Sequence, residues 1–110
     1  MQMMADTGPH SRFYHSRGLR LHYLDWGNVD APLLMLVHGG LEHARVWDQL
    51  ARQLCADWHV VVPDLRGQGD SDWSTGGAYA IPDFVADIAA LVAELGDRPV
   101  TLVAHSLGGN

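Results

Sequence analysis

Lysine does not occur anywhere in the 110 residues, and cysteine occurs once. Without lysine there can be no P-loop lysine, no Schiff-base chemistry and no serine–lysine dyad. A single cysteine, Cys55, rules out an intrachain disulfide and any cysteine zinc cluster. The helical pattern around Cys55 makes it a small, buried apolar side chain. No apolar run approaches the roughly 20 residues needed to span a bilayer. The first residues, MQMMADTGPHSR, lack the basic-then-apolar order of a secretory signal, so residues 1–11 are read as a disordered tail. The cytoplasm is the expected compartment. Net charge is −6. The basic residues, all arginine, are scattered at 12, 17, 20, 45, 52, 66 and 98. They form no stripe, so nucleic acid is excluded as a partner and an anionic membrane gains little.

Against these absences stand three short, mainly apolar runs: LLMLV at 33–37, HVVVP at 59–63 and VTLVA at 100–104. Runs of that length without alternation suit strands buried on both faces of a parallel sheet. Between them lie two amphipathic patterns. Over 44–56, Trp47, Leu50, Ala51 and Leu54 recur at helical spacing. Over 81–95, Phe84, Val85, Ile88, Leu91, Val92 and Leu95 form the apolar side, with Asp87 and Glu94 pointing outward. Pro82 suits the first turn of that helix and Gly96 its end. Ahead of this unit, 12–16 and 19–26 alternate around Arg17-Gly18 as an antiparallel hairpin, closed by the turn-rich GNVDAP at 27–32. The expected class is α/β: a hairpin followed by a parallel β-α-β-α-β unit with right-handed crossovers, in one domain over 12–110.

The chemistry concentrates where these strands end. Ser106 follows the third apolar run directly, flanked by Ala104 and Gly108 with Gly109 beyond. A serine after a strand often only caps a helix. Small residues on both sides at a spacing of two instead suit a sharp strand-to-helix turn that holds the middle side chain in a strained conformation. The carboxyl end of a buried parallel strand is also where α/β sheets hold their ligands. A serine nucleophile needs donors for the oxyanion it generates, each worth about 3–4 kcal/mol in the transition state. The N–H of Leu107 is one candidate. The second is sought in HGG at 38–40, where glycine lets the backbone approach a ligand closely.

Together, HGG at 38–40, DLRGQGDS at 64–71 and AHSLGG at 104–109 resemble the N-terminal half of an α/β-hydrolase of the serine-nucleophile branch. The resemblance covers nearly the whole chain after about residue 12. It implies that Ser106 is the nucleophile and that Gly40 and Leu107 supply the oxyanion-hole N–H groups. It also implies that His38 and His105 support their loops rather than transfer protons. Ala104 stands where the family pattern has glycine, a small change that keeps the turn possible. Dehalogenases and epoxide hydrolases of this fold use aspartate as nucleophile. Serine therefore points to acyl transfer on an ester-like small molecule, by an esterase, lipase, lactonase, perhydrolase or carbon–carbon bond hydrolase.

Other groups are weaker candidates. Gly67-Gln68-Gly69 begins like a dinucleotide fingerprint, but Asp72 occupies the third glycine position. Glu42-His43 has no second histidine at the offset of a zinc-protease helix, and His43 is read as a surface residue. No cofactor or metal is expected. Asp64 and Arg66 are read as a buried structural ion pair that ties down their loop. Trp26, Trp47, Trp58 and Trp73 are read as core or rim aromatics.

In the resembled family an acid and a histidine follow the serine in chain order, and neither segment falls within residues 1–110. The chain alone is therefore expected to be inactive and to self-associate through an uncovered sheet edge. The alternatives are a serine hydrolase whose given sequence is incomplete and an inactive fragment that acts only by binding. A complement from a second chain that supplies the base is a third.

Overall fold

A computed structural model describes residues 8–39 and 43–105. Five strands form one mixed sheet: β1 (His10–Ser16), β2 (Leu19–Asp25), β3 (Leu33–Val37), β4 (His59–Pro63) and β5 (Val100–Ala104), in the order β1-β2-β4-β3-β5. The β1–β2 and β2–β4 pairs are antiparallel, while β3 lies parallel to both β4 and β5. The hairpin turns through Arg17 and Gly18 at φ of 52° and 88°. Two successive positive φ values match the twist of the flanking strands. β1 starts at His10 rather than at the expected residue 12, because Ser11 already pairs with Leu24 in the hairpin ladder.

Each central strand buries both faces, as its unbroken apolar run requires. On one side Leu33, Met35, Val37 and Val61 pack with Phe84 and Leu91 of α2 (Ile81–Glu94). On the other, Leu34, Leu36, Val60 and Val62 pack with Ala44 and Ala51. Ala44 opens a 3-10 turn (Ala44–Trp47) that leads into α1 (Asp48–Leu54). Each fully buried Leu or Val contributes about 1.5–3 kcal/mol, so these two layers hold the sheet together.

Several expectations change. α1 is shorter than 44–56, and Leu50 is exposed at the rim of its apolar stripe. On α2 the inward face is Phe84, Asp87 and Leu91, while Val85 is exposed. At 100° per residue, 84, 87 and 91 fall within one sector and 85 falls outside it. Geometry therefore selects Asp87 over Val85, and an ion pair makes its burial possible. Cys55 is half-buried, with Sγ on the Arg52 carbonyl at 3.4 Å. Trp26 is buried and Trp47 and Trp58 pack at the rim, but Trp73 is 73% exposed. β5 is exposed to half-buried rather than buried, since among the described residues nothing pairs with its outer edge.

Candidate active site

The register of the two parallel strands positions the site. Val37 pairs with Ala104, and the His105 N–H donates to the Val37 carbonyl at 3.1 Å. His38-Gly39 and His105 therefore follow neighbouring parallel strands at the same level. Gly40, Ser106 and Leu107, the expected oxyanion donors and nucleophile, lie outside the described residues.

The described residues at the ends of β3 and β4 form a connected set of hydrogen bonds. His38 is fully buried, and its Nε2 accepts from the Leu65 N–H at 3.0 Å. That leaves Nδ1 as the protonated nitrogen, which donates to the Gly39 carbonyl at 2.6 Å. The ring thus joins the end of β3 to the loop after β4, in keeping with its expected supporting role. His43 is exposed, and its ring accepts from the Arg45 N–H at the start of the 3-10 turn.

The expected Asp64–Arg66 pair does not form. The Asp64 carboxylate accepts from His22 Nδ1 at 2.7 Å, from the Ala44 N–H at 2.6 Å and from the Asp70 N–H at 3.0 Å. Burial alone would raise its pKa, but these donors outweigh it and hold the group below its ordinary value. Ser71 donates from Oγ to the Asp64 carbonyl at 2.6 Å and accepts from the His22 N–H at 2.8 Å. Gly69 has to lack a side chain: its φ is +55°, and an added Cβ would lie 2.3 Å from the Asp64 carboxyl carbon. The DLRGQGDS loop is in this way wrapped around one buried carboxylate.

Arg66 pairs with Asp87 instead, Nε to Oδ2 at 2.6 Å and NH2 to Oδ1 at 2.7 Å. Its NH1 donates to the Ala78 carbonyl at 2.8 Å, and Ser16 Oγ donates to Asp87 Oδ1 at 2.7 Å. The Asp87 hydrogen bonds come first among the causes that raise the guanidinium pKa. A second polar cluster sits at the far end of the sheet, where His59 Nε2 donates to Asp25 Oδ1 at 2.9 Å and Arg98 donates to His59 Nδ1.

An open cleft of about 280 Å³ lies beside Asp64, lined by Ser11, His22, His43, Arg45 and Asp70 among others. Ligand atoms of His22, Asp64 and Asp70 come within 4.8 Å of one another. The Asp64 oxygens already accept three N–H donors, so the group is a hydrogen-bond hub rather than a ready cation site. His22 was not anticipated as a partner. The available signal was a histidine on the strand face that also carries Leu24 and Trp26.

The family model of the alpha/beta hydrolase fold matches residues 32–110. The chain belongs to that family. Among curated relatives of this α/β-hydrolase chain, 3-hydroxybutyrate-oligomer hydrolase of Cupriavidus necator is 36% identical over 99% of the chain and 35% of its own length. Epoxide hydrolase 4 of Mus musculus is 36% identical over 84% of the chain and 26% of its own length. A solved thioesterase domain from the curacin biosynthetic pathway superposes with a TM-score of 0.86 at 32% identity, over 93% of the chain and 37% of that domain. The chain spans roughly a quarter to two fifths of the length of the curated relatives it matches. Among the described residues, no helix is long and apolar enough to cross a membrane.

Proposed function

We propose that the protein hydrolyses an ester or similar acyl bond of a small molecule, with Ser106 as nucleophile and the N–H groups of Gly40 and Leu107 as the oxyanion hole. Ser106 Oγ adds to the acyl carbon, the alcohol leaves with a proton, and water releases the acid from the acyl-serine. One observation supports this reading: the Val37–Ala104 register, which brings the carboxyl ends of β3 and β5 side by side, just where the HGG and AHSLGG sequences begin. The relatives include both acyl-bond and epoxide hydrolases. Serine at 106, in place of the aspartate that epoxide opening uses in this fold, favours acyl transfer. The general base is assigned to a histidine held by an acid, as the family resemblance implies, and no cofactor is required. A single cysteine fits a reducing compartment such as the cytoplasm.

A fluorophosphonate probe tests the reading. Labelling of the protein that carries this chain should be lost in Ser106→Ala. Labelling that survives the substitution overturns the assignment. A second reading, action through binding without turnover, draws on the exposed Leu102 and Val103 of β5. A folded protein whose Ser106 never reacts would favour it.

A further inference from the structure

The geometry points to Asp64 as the positioning residue of the oxyanion hole, a role that rests on the acyl-hydrolase reading. In the sequence Gly40 falls between His38 and Ala44, and neighbouring residues of the β4 loop hold each of those two residues. At the front, the Leu65 N–H donates to His38 Nε2 at 3.0 Å. At the back, the Ala44 N–H donates to Asp64 Oδ1 at 2.6 Å. A carboxylate can act as such an anchor only if it is itself immobile, and here its other oxygen is fixed twice. His22 Nδ1 donates to Oδ2 at 2.7 Å and the Asp70 N–H does so at 3.0 Å. His22 in turn contacts Ser11 Oγ through Nε2 at 3.0 Å, so β1 braces the ring. The side chains of His22 and Asp64 are each only 4% exposed. Gly69 completes the fit, since any Cβ there would occupy the space of the carboxylate.

Oxyanion donors act through preorganisation, and a displacement of about 1 Å far from the chemistry can lower the rate by about 100-fold. Asp64 touches neither substrate nor nucleophile in this scheme. Its part is to hold Ala44, four residues along the chain from Gly40. An amide at this position cannot accept from all three donors at once, so Asp64→Asn should loosen the segment while altering little volume.

In the protein that carries this chain, the test compares Asp64→Asn with Leu91→Ala and Ser106→Ala, using p-nitrophenyl butyrate as substrate. Leu91 is fully buried on α2, so its truncation lowers stability without touching the segment. For Asp64→Asn, kcat is expected to fall about 100-fold with KM within a few-fold of the parent. Leu91→Ala should keep the parent kcat per folded molecule. If Asp64→Asn loses activity only in proportion to lost folded protein, as Leu91→Ala would, the positioning role is overturned. If Ser106→Ala remains active, the acyl-hydrolase reading itself fails, which separates the two. Should Asp64→Asn not fold, amide exchange on the unaltered protein decides. The Ala44 and Leu65 N–H groups should be protected, and exchange of Ala44 at the rate of an open amide refutes the anchor.

Discussion

Arg66 and Asp87 meet in a two-point ion pair between the loop after β4 and the middle of α2, with side chains 3% and 1% exposed. Such a pair fixes direction as well as distance, because the planar guanidinium presents two parallel N–H donors to the carboxylate. Ser16 at the end of β1 adds a hydroxyl donor to the same carboxylate. Hairpin, loop and helix are thus locked at one point, where the end of β1, the loop after β4 and α2 meet.

Breaking one partner should therefore be worse than removing both. Asp87→Ala leaves a buried guanidinium uncompensated, and the expected loss is about 3–5 kcal/mol. The double replacement Arg66→Met with Asp87→Leu removes both charges and should recover much of that loss. Urea unfolding of the three proteins gives the comparison. A double variant no more stable than Asp87→Ala would show that the uncompensated charge is not the source of the loss.

The acid side of the stability profile should trace to Asp64 and Asp25. Burial alone would raise both carboxyls. For Asp64 the donors that outweigh it are His22, Asp70 and Ala44; for Asp25 they are Gly27, His59 and Arg12. Both end below the ordinary value of 3.8. Between the folded and unfolded values the unfolded chain binds more protons, so stability falls as the pH drops through that window. Above 3.8 the contribution is fully present. The slope is about 1.4 kcal/mol per pH unit for each group at most. Denaturant midpoints at pH 6 and pH 3 should separate less in Asp64→Asn than in the parent. Equal separation would remove Asp64 as a source of acid sensitivity.

Gly69 and Gly77 both adopt positive φ, at +55° and +76°, but only Gly69 faces an obstacle. Nothing lies within 4 Å of a Cβ added at Gly77, while one at Gly69 meets the Asp64 carboxyl group at 2.3–2.4 Å. Alanine at Gly77 should therefore carry only the left-handed backbone penalty of about 1–2 kcal/mol. Alanine at Gly69 adds displacement of the carboxylate and loss of its hydrogen bonds, and should exceed the Gly77 variant by a further 1–3 kcal/mol or so. Thermal unfolding of the two single variants measures the difference directly. Matching losses would mean that Asp64 moves aside freely.

The strand pattern was legible because it is local. LLMLV, HVVVP and VTLVA became β3, β4 and β5 at their expected limits, since each apolar run is cut off by proline, glycine or polar residues. α2 was legible for the same reason, apart from the phase error at Asp87. The pairings that build the site were not. His22 reaches Asp64 across 42 residues and Ser16 reaches Asp87 across 71, and neither contact leaves a periodic trace. Asp64 and Arg66, two residues apart on one loop, looked like partners by proximity. Each instead finds its partner in another element, Asp64 on β2 and Arg66 on α2. A buried polar residue at an apolar-face position, as His22 and Asp87 both are, is the signal that sequence reading can use.

The outer edge of β5 leads to the last expectation. β5 pairs only with β3 among the described residues, and Leu102 and Val103 are 51% and 41% exposed on its two faces. An unpaired apolar edge offers a row of N–H and C=O groups to any other strand, including the same strand of a second copy. The 110-residue chain should therefore associate in a concentration-dependent way, through β5. Val103→Lys adds the charge with which exposed edges are commonly protected, at a site too open for the change to damage the core. Sedimentation velocity across a concentration series should show larger species for the parent and fewer for Val103→Lys. A parent chain that stays monomeric at every concentration would mean that this edge is protected in some other way, and that association is not built into the strand.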